Sequence, residues 1–232
     1  MKVIGLIGGM SWFSSLEYYR LINELVAEKL GGLHSARIVL YSLDFDEIEQ
    51  TQHQGRWDDA TTILSQASTA LKQAGADFLV ICTNTMHKIA DAVRERAGLP
   101  FIDIVEVTGN SIVKKGLGKV GLLGSRFVME EPFYRGRLKK QFDIEVLVPD
   151  KEERAMVDRI IFDELCQGKI EESSHCAYIN IITELIEQGA EGIILGCTEL
   201  PLLIRPGDVP VPLFDTMRLH AEAAVNLALA EE

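Results

Sequence analysis

The sequence is poor in basic residues and has no closely spaced cysteines. Its 23 lysines and arginines are outnumbered by 35 aspartates and glutamates, which gives a formal net charge of −12. No segment carries the run of basic side chains that a phosphate backbone requires, so we expect no nucleic-acid partner. The four cysteines form no C-x-x-C pair and are too few for a disulfide framework. We therefore expect reduced thiols.

The chain also lacks long apolar runs. Gly5, Gly8 and Gly9 interrupt the apolar opening MKVIGLIGGMSW too early for a signal peptide, and no later segment approaches membrane-spanning length. We expect a cytoplasmic protein with no membrane partner. The same glycines do not form the G-x-G-x-x-G dinucleotide fingerprint, and the acidic residue expected at the end of the second strand, about 20 positions on, is missing, since Asp44 comes 36 positions after Gly8. These absences argue against a dinucleotide-dependent oxidoreductase.

What the sequence does contain is an alternation of short β-rich runs with amphipathic helical segments. Runs such as VIGLIG (3–8) and DFLVIC (77–82) consist largely of Val, Ile and Leu, which is typical of strands buried on both faces of a parallel sheet. A helix is expected over about 14–30, with Ser14 or Ser15 as its N-cap. With 47% hydrophobic residues the chain can bury a sizeable core, and the predicted fold class is α/β.

The chain carries an internal repeat. Aligning IGLIGGM with VGLLGSR places Gly8 on Gly124, and aligning QAGADFLVICTNT with EQGAEGIILGCTE places Gly75 on Gly189. A third match pairs PFIDI with PLFDT. Because the three matches occur in chain order at nearly constant offset, they indicate a duplicated half of about 115 residues.

The repeat predicts two pseudo-symmetric, Rossmann-like halves, each a mostly parallel sheet flanked by helices. The first half covers 1–103, with 216–232 packing back onto it as the final helix, and the second covers 104–215. Ligands of open α/β sheets bind outside the carboxyl ends of the strands. We therefore expect the active site in a cleft between the two halves.

Signature stretches spread over nearly the whole chain resemble those of the cofactor-independent aspartate/glutamate racemases. They are GLIGGMSW, TNTMH, GLLGSRFVME, GCTELP and FDTMRLHAEAA. In that family two pseudo-symmetric α/β halves, usually in a dimer, each place one catalytic thiol on one face of the substrate Cα. This chain keeps Cys197 but has Thr83 at the position of the first thiol, as in a bacterial subgroup of L-aspartate/glutamate-specific or broad-specificity racemases. The repeat independently aligns Cys197 with Thr83 rather than with Cys82.

The resemblance implies an amino-acid racemase that acts on aspartate, glutamate or a related small amino acid, without pyridoxal phosphate, metal or other cofactor, as a homodimer. Racemisation removes the Cα proton on one face and returns a proton on the other. Cys197 lies at a predicted strand-to-helix junction, where amides and a helix dipole are expected to lower a thiol pKa. Thr83 is a far weaker acid, so it is expected to donate or relay a proton and to make the two directions unequal in kcat.

The substrate carboxylate needs donors that strengthen as the carbanion forms. The candidates are the backbone amides around Gly9, Met10 and Ser11, together with Asn84, Thr85 and Thr198. Ser125, which the repeat places opposite Gly9, is expected to line the same cleft. Gln52 falls where strict aspartate racemases place an arginine for the distal carboxylate, so the resemblance implies looser specificity here. Glu199 is expected to orient a hydroxyl or to receive the substrate ammonium.

Two other functions stay open at this point. A sister reaction, decarboxylation or cis-trans isomerisation, needs only one thiol, and an amino-acid-binding protein with weak or no activity needs none. Thr83 would then serve only as a helix cap. Cys82, Cys166 and Cys176 are expected to be buried or surface thiols without a catalytic role, and Asp215 is expected to N-cap the final helix.

Overall fold

The computed structural model describes residues 1–230, which divide into two compact units. The first unit consists of Met1–Asp103 together with the chain from His220 onward, and the second consists of Ile104–Leu219. Within residues 1–230 no helix combines the length and the apolar character needed to cross a bilayer.

The first unit is a four-stranded parallel sheet with helices. Its strands are β1 (Ile4–Gly8), β2 (Ile38–Ser42), β3 (Phe78–Ile81) and β4 (Phe101–Ile102). Its helices are α1 (Trp12–Leu30), α2 (Phe45–His53), α3 (Trp57–Gln73) and α4 (Ala90–Ala97), with a 3₁₀ helix over Thr85–Ile89. The strands lie in the order β2-β1-β3-β4 and every pair is parallel.

The second unit repeats this architecture. Its strands are β5 (Lys119–Gly124), β6 (Glu145–Leu147), β7 (Ile193–Gly196) and β8 (Leu213–Asp215). Its helices are α5 (Ile104–Lys114), α6 (Arg126–Glu130), α7 (Pro132–Phe142), α8 (Lys151–Asp163), α9 (Glu172–Glu187) and α10 (Leu200–Leu203). The last helix, α11 (Thr216–Leu229), begins in this unit and belongs to the first unit from His220 onward. The strand order is β6-β5-β7-β8, again wholly parallel.

The register of the strands confirms the predicted α/β fold of two equivalent halves. In the first sheet Ile7 pairs with Ile81, and in the second Leu123 pairs with Leu195. These are the positions that the sequence repeat equates. The repeat therefore describes one topology built twice.

The helix-to-strand junctions repeat as well. Gly75 and Gly189 each follow a helix with φ of 91° and 98°, in the left-handed region that glycine adopts without steric cost. Two residues later, Asp77 and Glu191 each accept a backbone N–H at the start of their own sheet, at 2.6 and 2.9 Å. The sequences Gly-Ala-Asp and Gly-Ala-Glu thus form the same helix-to-strand junction in the two halves.

Both faces of the second sheet are covered. On β5 the neighbouring residues Leu122 and Leu123 belong to different apolar clusters, one with residues of α5 and α7 and the other with residues of α8 and α9. Successive side chains of a strand point to opposite faces, so this alternation requires helices on both sides. Each fully buried leucine contributes about 1.5–3 kcal/mol of transfer free energy.

The first helix begins earlier than predicted. Ser11 is the N-cap of α1, and its Oγ accepts the N–H of Ser14 at 3.4 Å. The predicted cap, Ser14 or Ser15, is wrong because both hydroxyls are engaged elsewhere. Ser15 Oγ accepts the N–H of Gly9 at 2.7 Å, and Ser14 Oγ donates to the carbonyl of Cys82 at 2.8 Å.

The final helix begins as predicted. Asp215 Oδ1 accepts the N–H of Arg218 at 3.0 Å, which is the bond that an N-cap carboxylate makes to the third helical residue. The first residue of this helix, Thr216, belongs to the second unit, and its hydroxyl donates to the carbonyl of Leu195 in that unit at 2.8 Å.

Candidate active site

In the second unit the candidate residues follow two neighbouring strands. Gly124 ends β5 and pairs with Gly196, which ends β7, so Ser125 and Cys197 lie at the same carboxyl edge of the sheet. The two backbones approach closely here, since a Cβ on Gly124 would lie 2.8 Å from the carbonyl oxygen of Gly196. Ser125 is buried and Cys197 is half-buried.

Glu199 joins Cys197 and Thr198 through one carboxylate oxygen. Cys197 Sγ lies 3.0 Å from Glu199 Oε2, and Thr198 Oγ1 lies 2.6 Å from the same oxygen. An ionised carboxylate only accepts hydrogen bonds, so the thiol and the hydroxyl donate. Glu199 is itself only 5% exposed, so the three side chains form a compact acid/base group.

The thiol of Cys197 is held in its protonated form. Burial is the largest cause that raises the pKa of Cys197 above its ordinary value, and the negative charge of Glu199 and the neighbouring thiol of Cys166 raise it further. The backbone N–H of Glu199 acts in the opposite direction and is outweighed. The resting form of this group is therefore an S–H donor.

The expectation of a lowered thiol pKa at a helix N-terminus is thus wrong. The helix that follows Cys197, α10, has only four residues, so it carries little macrodipole. The acidic residue two positions after the cysteine places a negative charge where a stabilising cation was required.

In the first unit Thr83 follows β3. The N–H of Cys82 donates to the carbonyl of Ile7 at 2.9 Å, which extends the pairing of β1 and β3 by one residue. Thr83 comes next and is half-buried. The 3₁₀ helix begins at Thr85 with Asn84 at the cap position, so Thr83 is not the helix cap that the alternative interpretation required.

The other predicted binding residues of the first unit lie at the same edge of its sheet. Met10 and Ser11 follow β1, the strand next to β3, and both are buried. Gln52 in α2 is buried and donates from Nε2 to the sulfur of Met86 at 3.0 Å, which places it against the 3₁₀ helix. Asn84 is buried and Thr85 is half-buried.

The predicted residues therefore fall into two groups, one on each unit. The first unit carries Met10, Ser11, Gln52, Thr83, Asn84 and Thr85. The second carries Ser125, Cys197, Thr198 and Glu199. Apart from Gln52, which lies in α2, both groups follow the carboxyl ends of the two central strands of their sheet, which is the position at which open α/β sheets bind ligands.

The remaining thiols differ in their surroundings. Cys82 is completely buried and burial raises its pKa, Cys166 is half-buried with a pKa raised by burial and by Glu199, and Cys176 is exposed. Sequence reasoning missed that Cys166 lies close enough to influence Cys197, because nothing in the sequence links two cysteines in separate segments.

One group of potential metal ligands lies away from these residues. Glu172, His175 and Cys176 at the start of α9 bring one ligand atom each to within 4.8 Å of one another. None of them belongs to the candidate site, and the candidate site residues form no such cluster among residues 1–230.

The fold and these residues together define a class. It is an α/β protein of two equivalent parallel-sheet units, with a hydrogen-bonded thiol at the strand ends of one unit and polar side chains at the matching strand ends of the other. The chain belongs to the Asp/Glu/Hydantoin racemase family, whose profile matches residues 7–224.

Solved structures and curated relatives agree with this membership. The chain is 53% identical to a candidate Asp/Glu racemase from Yersinia pestis, with a TM-score of 0.94 over 99% of this chain and 100% of that one. It is 36% identical to an aspartate racemase homologue from Pyrococcus horikoshii, with a TM-score of 0.88 over 99% and 100% of the two chains. The broad specificity amino-acid racemase of Bacillus subtilis is 24% identical over 75% of this chain and 74% of its own.

Coverage is smaller for another curated relative. A glutamate racemase from Persephonella marina is 26% identical over 140 residues, which are 60% of this chain and 52% of that protein. The match therefore spans about half the length of that relative.

Proposed function

We propose that this protein is a cofactor-independent amino-acid racemase that acts on aspartate, glutamate or a related small amino acid. The observation that carries the proposal is the thiol of Cys197, which is hydrogen-bonded to Glu199 at a strand end that the repeat equates with Thr83. Racemisation needs one acid/base group for each face of a single carbon. The two copies of the repeat supply one such group each.

Cys197 is proposed to act on one face. As an acid, its S–H transfers a proton directly to the substrate carbanion and leaves a thiolate. As a base, it must first lose the S–H proton, which Glu199 Oε2 is already placed to accept. The thiolate then takes the Cα proton, and the electron pair of the broken C–H bond delocalises into the substrate α-carboxylate.

Thr83 is proposed to act on the opposite face. Its hydroxyl gives a proton to the carbanion and takes one in return from a solvent water. In the reverse direction the hydroxyl passes its own proton to solvent water as it takes the Cα proton. Because a threonine hydroxyl does not rest as an alkoxide, removal of a proton by Thr83 is the harder half of the reaction. Cys197 is therefore the dominant acid/base group.

The binding residues are proposed to hold the substrate carboxylates and ammonium. Ser11, Asn84 and Thr85 offer hydroxyl or amide donors for the α-carboxylate, which gains negative charge as the carbanion forms. The hydroxyl of Thr198 is donated to Glu199, so it must turn away from that carboxylate to bind the substrate. Gln52 offers a neutral amide to the side-chain carboxylate. A neutral group discriminates less strongly between aspartate, glutamate and uncharged side chains than an arginine does.

A panel of amino acids tests the proposal. Purified protein is incubated with the L and D forms of each amino acid, and products are separated by chiral chromatography. We expect inversion of aspartate, glutamate or a close relative, and loss of that inversion in Cys197→Ser. The matched control is Cys176→Ser, which replaces an exposed thiol and should leave the rate unchanged. Inversion that persists in Cys197→Ser would remove the thiol from the mechanism.

A decarboxylase is the second candidate, and the protonation state of Cys197 favours it. A thiol that is held as S–H is ready to protonate the carbanion left after CO₂ departs, and that reaction needs no base on the other face. Release of CO₂ from disubstituted malonic acids, without inversion of any amino acid, would select this candidate. Amino-acid binding with neither reaction would indicate a binding protein.

The resemblance also supports a homodimer in the cytoplasm that needs neither metal nor pyridoxal phosphate. Analytical ultracentrifugation tests the dimer, which is expected to sediment as a particle of twice the 25.8 kDa chain mass. Activity that survives extensive dialysis against EDTA, with no visible chromophore in the purified protein, is the result expected for cofactor independence.

A further inference from the structure

The two peptide groups that flank Thr83 are each held by a side chain. The carbonyl of Cys82, on the amino side, accepts a hydrogen bond from Ser14 Oγ at 2.8 Å. The carbonyl of Thr83 itself, on the carboxyl side, accepts from His87 Nδ1 at 2.8 Å. Because peptide groups are planar, fixing one on each side fixes the φ and ψ of Thr83. The direction of its Cα–Cβ bond follows from those two angles.

His87 is in turn held firmly. It is only 2% exposed, and its backbone N–H donates to the carbonyl of Asn84 at 3.1 Å. Its ring centroid lies 5.5 Å from the ring of Phe101 and 5.5 Å from the ring of His220. The imidazole therefore has neighbours that restrict its rotation while Nδ1 points to Thr83.

The ring of His220 behind it has a single defined protonation state. His220 Nε2 lies 3.0 Å from the carbonyl of Ile102, so this nitrogen carries the proton. His220 Nδ1 then accepts from the hydroxyl of Tyr18 at 2.9 Å. Burial and, to a smaller extent, His87 lower the pKa of His220 to about 3, so the ring is neutral at physiological pH.

We infer that His87 is a positioning residue for Thr83, and that it directs the threonine hydroxyl at the substrate by holding the Thr83 carbonyl. Ser14 holds the preceding carbonyl and completes the clamp. The inference rests on the proposed racemase function, in which Thr83 is the weaker acid. A weak acid tolerates misplacement poorly, because proton transfer requires the donor and acceptor atoms at hydrogen-bond distance in the right orientation.

The clamp has a signature that a general loss of stability does not produce. When Cys197 removes the Cα proton in D₂O, the carbanion has two fates. Thr83 can deliver a deuteron to the other face, which inverts the substrate. Alternatively, Cys197 can return a deuteron to the same face, which gives exchange without inversion. A misplaced Thr83 raises the ratio of exchange to inversion, and this ratio does not depend on how much of the enzyme is folded.

The experiment compares four proteins: wild type, His87→Leu, His87→Asn and Ser14→Ala. Each is incubated in D₂O with the L and D forms of the amino acid that the wild type inverts, and loss of the Cα proton and inversion are measured in the same sample. For the enantiomer whose proton faces Cys197, we expect the ratio to rise about tenfold or more in His87→Leu and in Ser14→Ala. In His87→Asn the ratio should stay near the wild-type value, because the amide Nδ2 occupies the place of Nδ1 and can still donate.

The outcomes separate this inference from the proposed function. Wild-type protein that neither exchanges nor inverts any amino acid contradicts the racemase itself. An active wild type with an unchanged ratio in both His87→Leu and Ser14→Ala overturns the clamp and leaves the racemase intact. A ratio that rises equally in His87→Leu and His87→Asn also overturns it, since the donated hydrogen bond would then not be the cause. If His87→Leu does not fold, Ser14→Ala tests the other arm of the clamp.

Discussion

Cys197 and Glu199 form an acid/base pair in which Sγ lies 3.0 Å from Oε2. The pair stands directly after the end of β7, and the carboxylate also accepts the hydroxyl of Thr198. Burial and the nearby negative charge disfavour the thiolate, so the pair stores the proton on sulfur at neutral pH. The Glu199 carboxylate can accept that proton from Sγ when the thiolate forms.

The first prediction concerns the charge of Glu199. Thiolate formation should appear as a rise of kcat/KM with pH that extends above the ordinary cysteine pKa of about 8.5. Glu199→Gln removes the negative charge and also the carboxylate that accepts the thiol proton, so kcat/KM should fall and the thiolate must form by loss of its proton to solvent. Because a like charge raises a thiol pKa, its removal should move the rise to lower pH. Burial remains, so the pKa should stay above the ordinary value.

Profiles of kcat/KM against pH for the two proteins give the answer. Glu187→Gln, an exposed substitution elsewhere in the second unit, is the control and should leave the profile in place. An unchanged profile in Glu199→Gln, or a rise displaced to higher pH, would show that the carboxylate does not govern the thiol.

The second prediction concerns the unequal pair of acid/base groups. In the wild type, kcat for the two enantiomers should differ by about tenfold or more, because one direction requires Thr83 to remove a proton. The equilibrium constant between enantiomers is unity, so kcat/KM stays equal and the difference appears in kcat and KM separately. Thr83→Cys should bring the two kcat values closer together, and Thr83→Ala should lower inversion about 100-fold.

Initial rates from each pure enantiomer measure this asymmetry. Thr62→Ala, a threonine on the exposed side of α3, serves as the control. Equal kcat values for the L and D substrates in the wild type would contradict the assigned roles.

The third prediction links His220 to stability. Its pKa is about 3 in the folded protein and about 6.5 in the unfolded chain, so the unfolded state binds more protons between these values. Stability from the neutral ring is therefore fully present above pH 6.5 and is lost as the pH falls toward 3. The advantage of the wild type over His220→Asn should shrink by about 1.4 kcal/mol for each pH unit in that window.

Urea unfolding of both proteins at pH 7, 6 and 5 tests the linkage. His34→Asn alters an exposed histidine and should show no such change in its difference from the wild type. A His220→Asn deficit that is constant with pH would mean that His220 is not buried in its neutral form.

The fourth prediction concerns the repeated glycines. Gly75 and Gly189 have positive φ, and an added methyl group at Gly75 meets no atom within 4 Å, so the cost of alanine there is conformational. Gly75→Ala and Gly189→Ala should each destabilise by about 1–2 kcal/mol. Gly118, which has open space and no positive φ, should tolerate alanine without loss.

The denaturant midpoints of unfolding of the three alanine variants, compared with that of the wild type, test this prediction. A neutral effect at either Gly75 or Gly189 would contradict the shared conformation that we assign to the two helix ends.

Much of the fold could be predicted because its signals are local and occur twice. Consecutive apolar residues in β1 and β5 indicate buried parallel strands, and the repeat relates the two halves. Helix α2 is not predicted, because two of its three buried residues, Thr51 and Gln52, are polar and hide the helical periodicity. Helical periodicity does not show that a polar side chain will be buried against another part of the fold.

The positions of the site residues could be predicted from the sequence, but the interactions between their side chains could not. The ends of the central strands identify Thr83 and Cys197, since the repeat and the strand pattern both lead there. The sign of the Cys197 pKa shift depends on burial and on how Glu199 folds back, which are tertiary facts. The hydrogen bond from Ser14 Oγ to the carbonyl of Cys82 joins residues 68 positions apart, so no sequence spacing predicts it.

The most direct test of the whole account is solvent exchange at Cα. Wild type and Cys197→Ser are incubated in D₂O with L- and D-aspartate and with L- and D-glutamate, and the Cα proton is followed by NMR alongside chiral analysis. We predict that the wild type replaces the Cα proton and inverts at least one of these amino acids or a close relative, while Cys197→Ser does neither. Exchange and inversion at wild-type rates in Cys197→Ser would contradict the central claim that this thiol carries the proton.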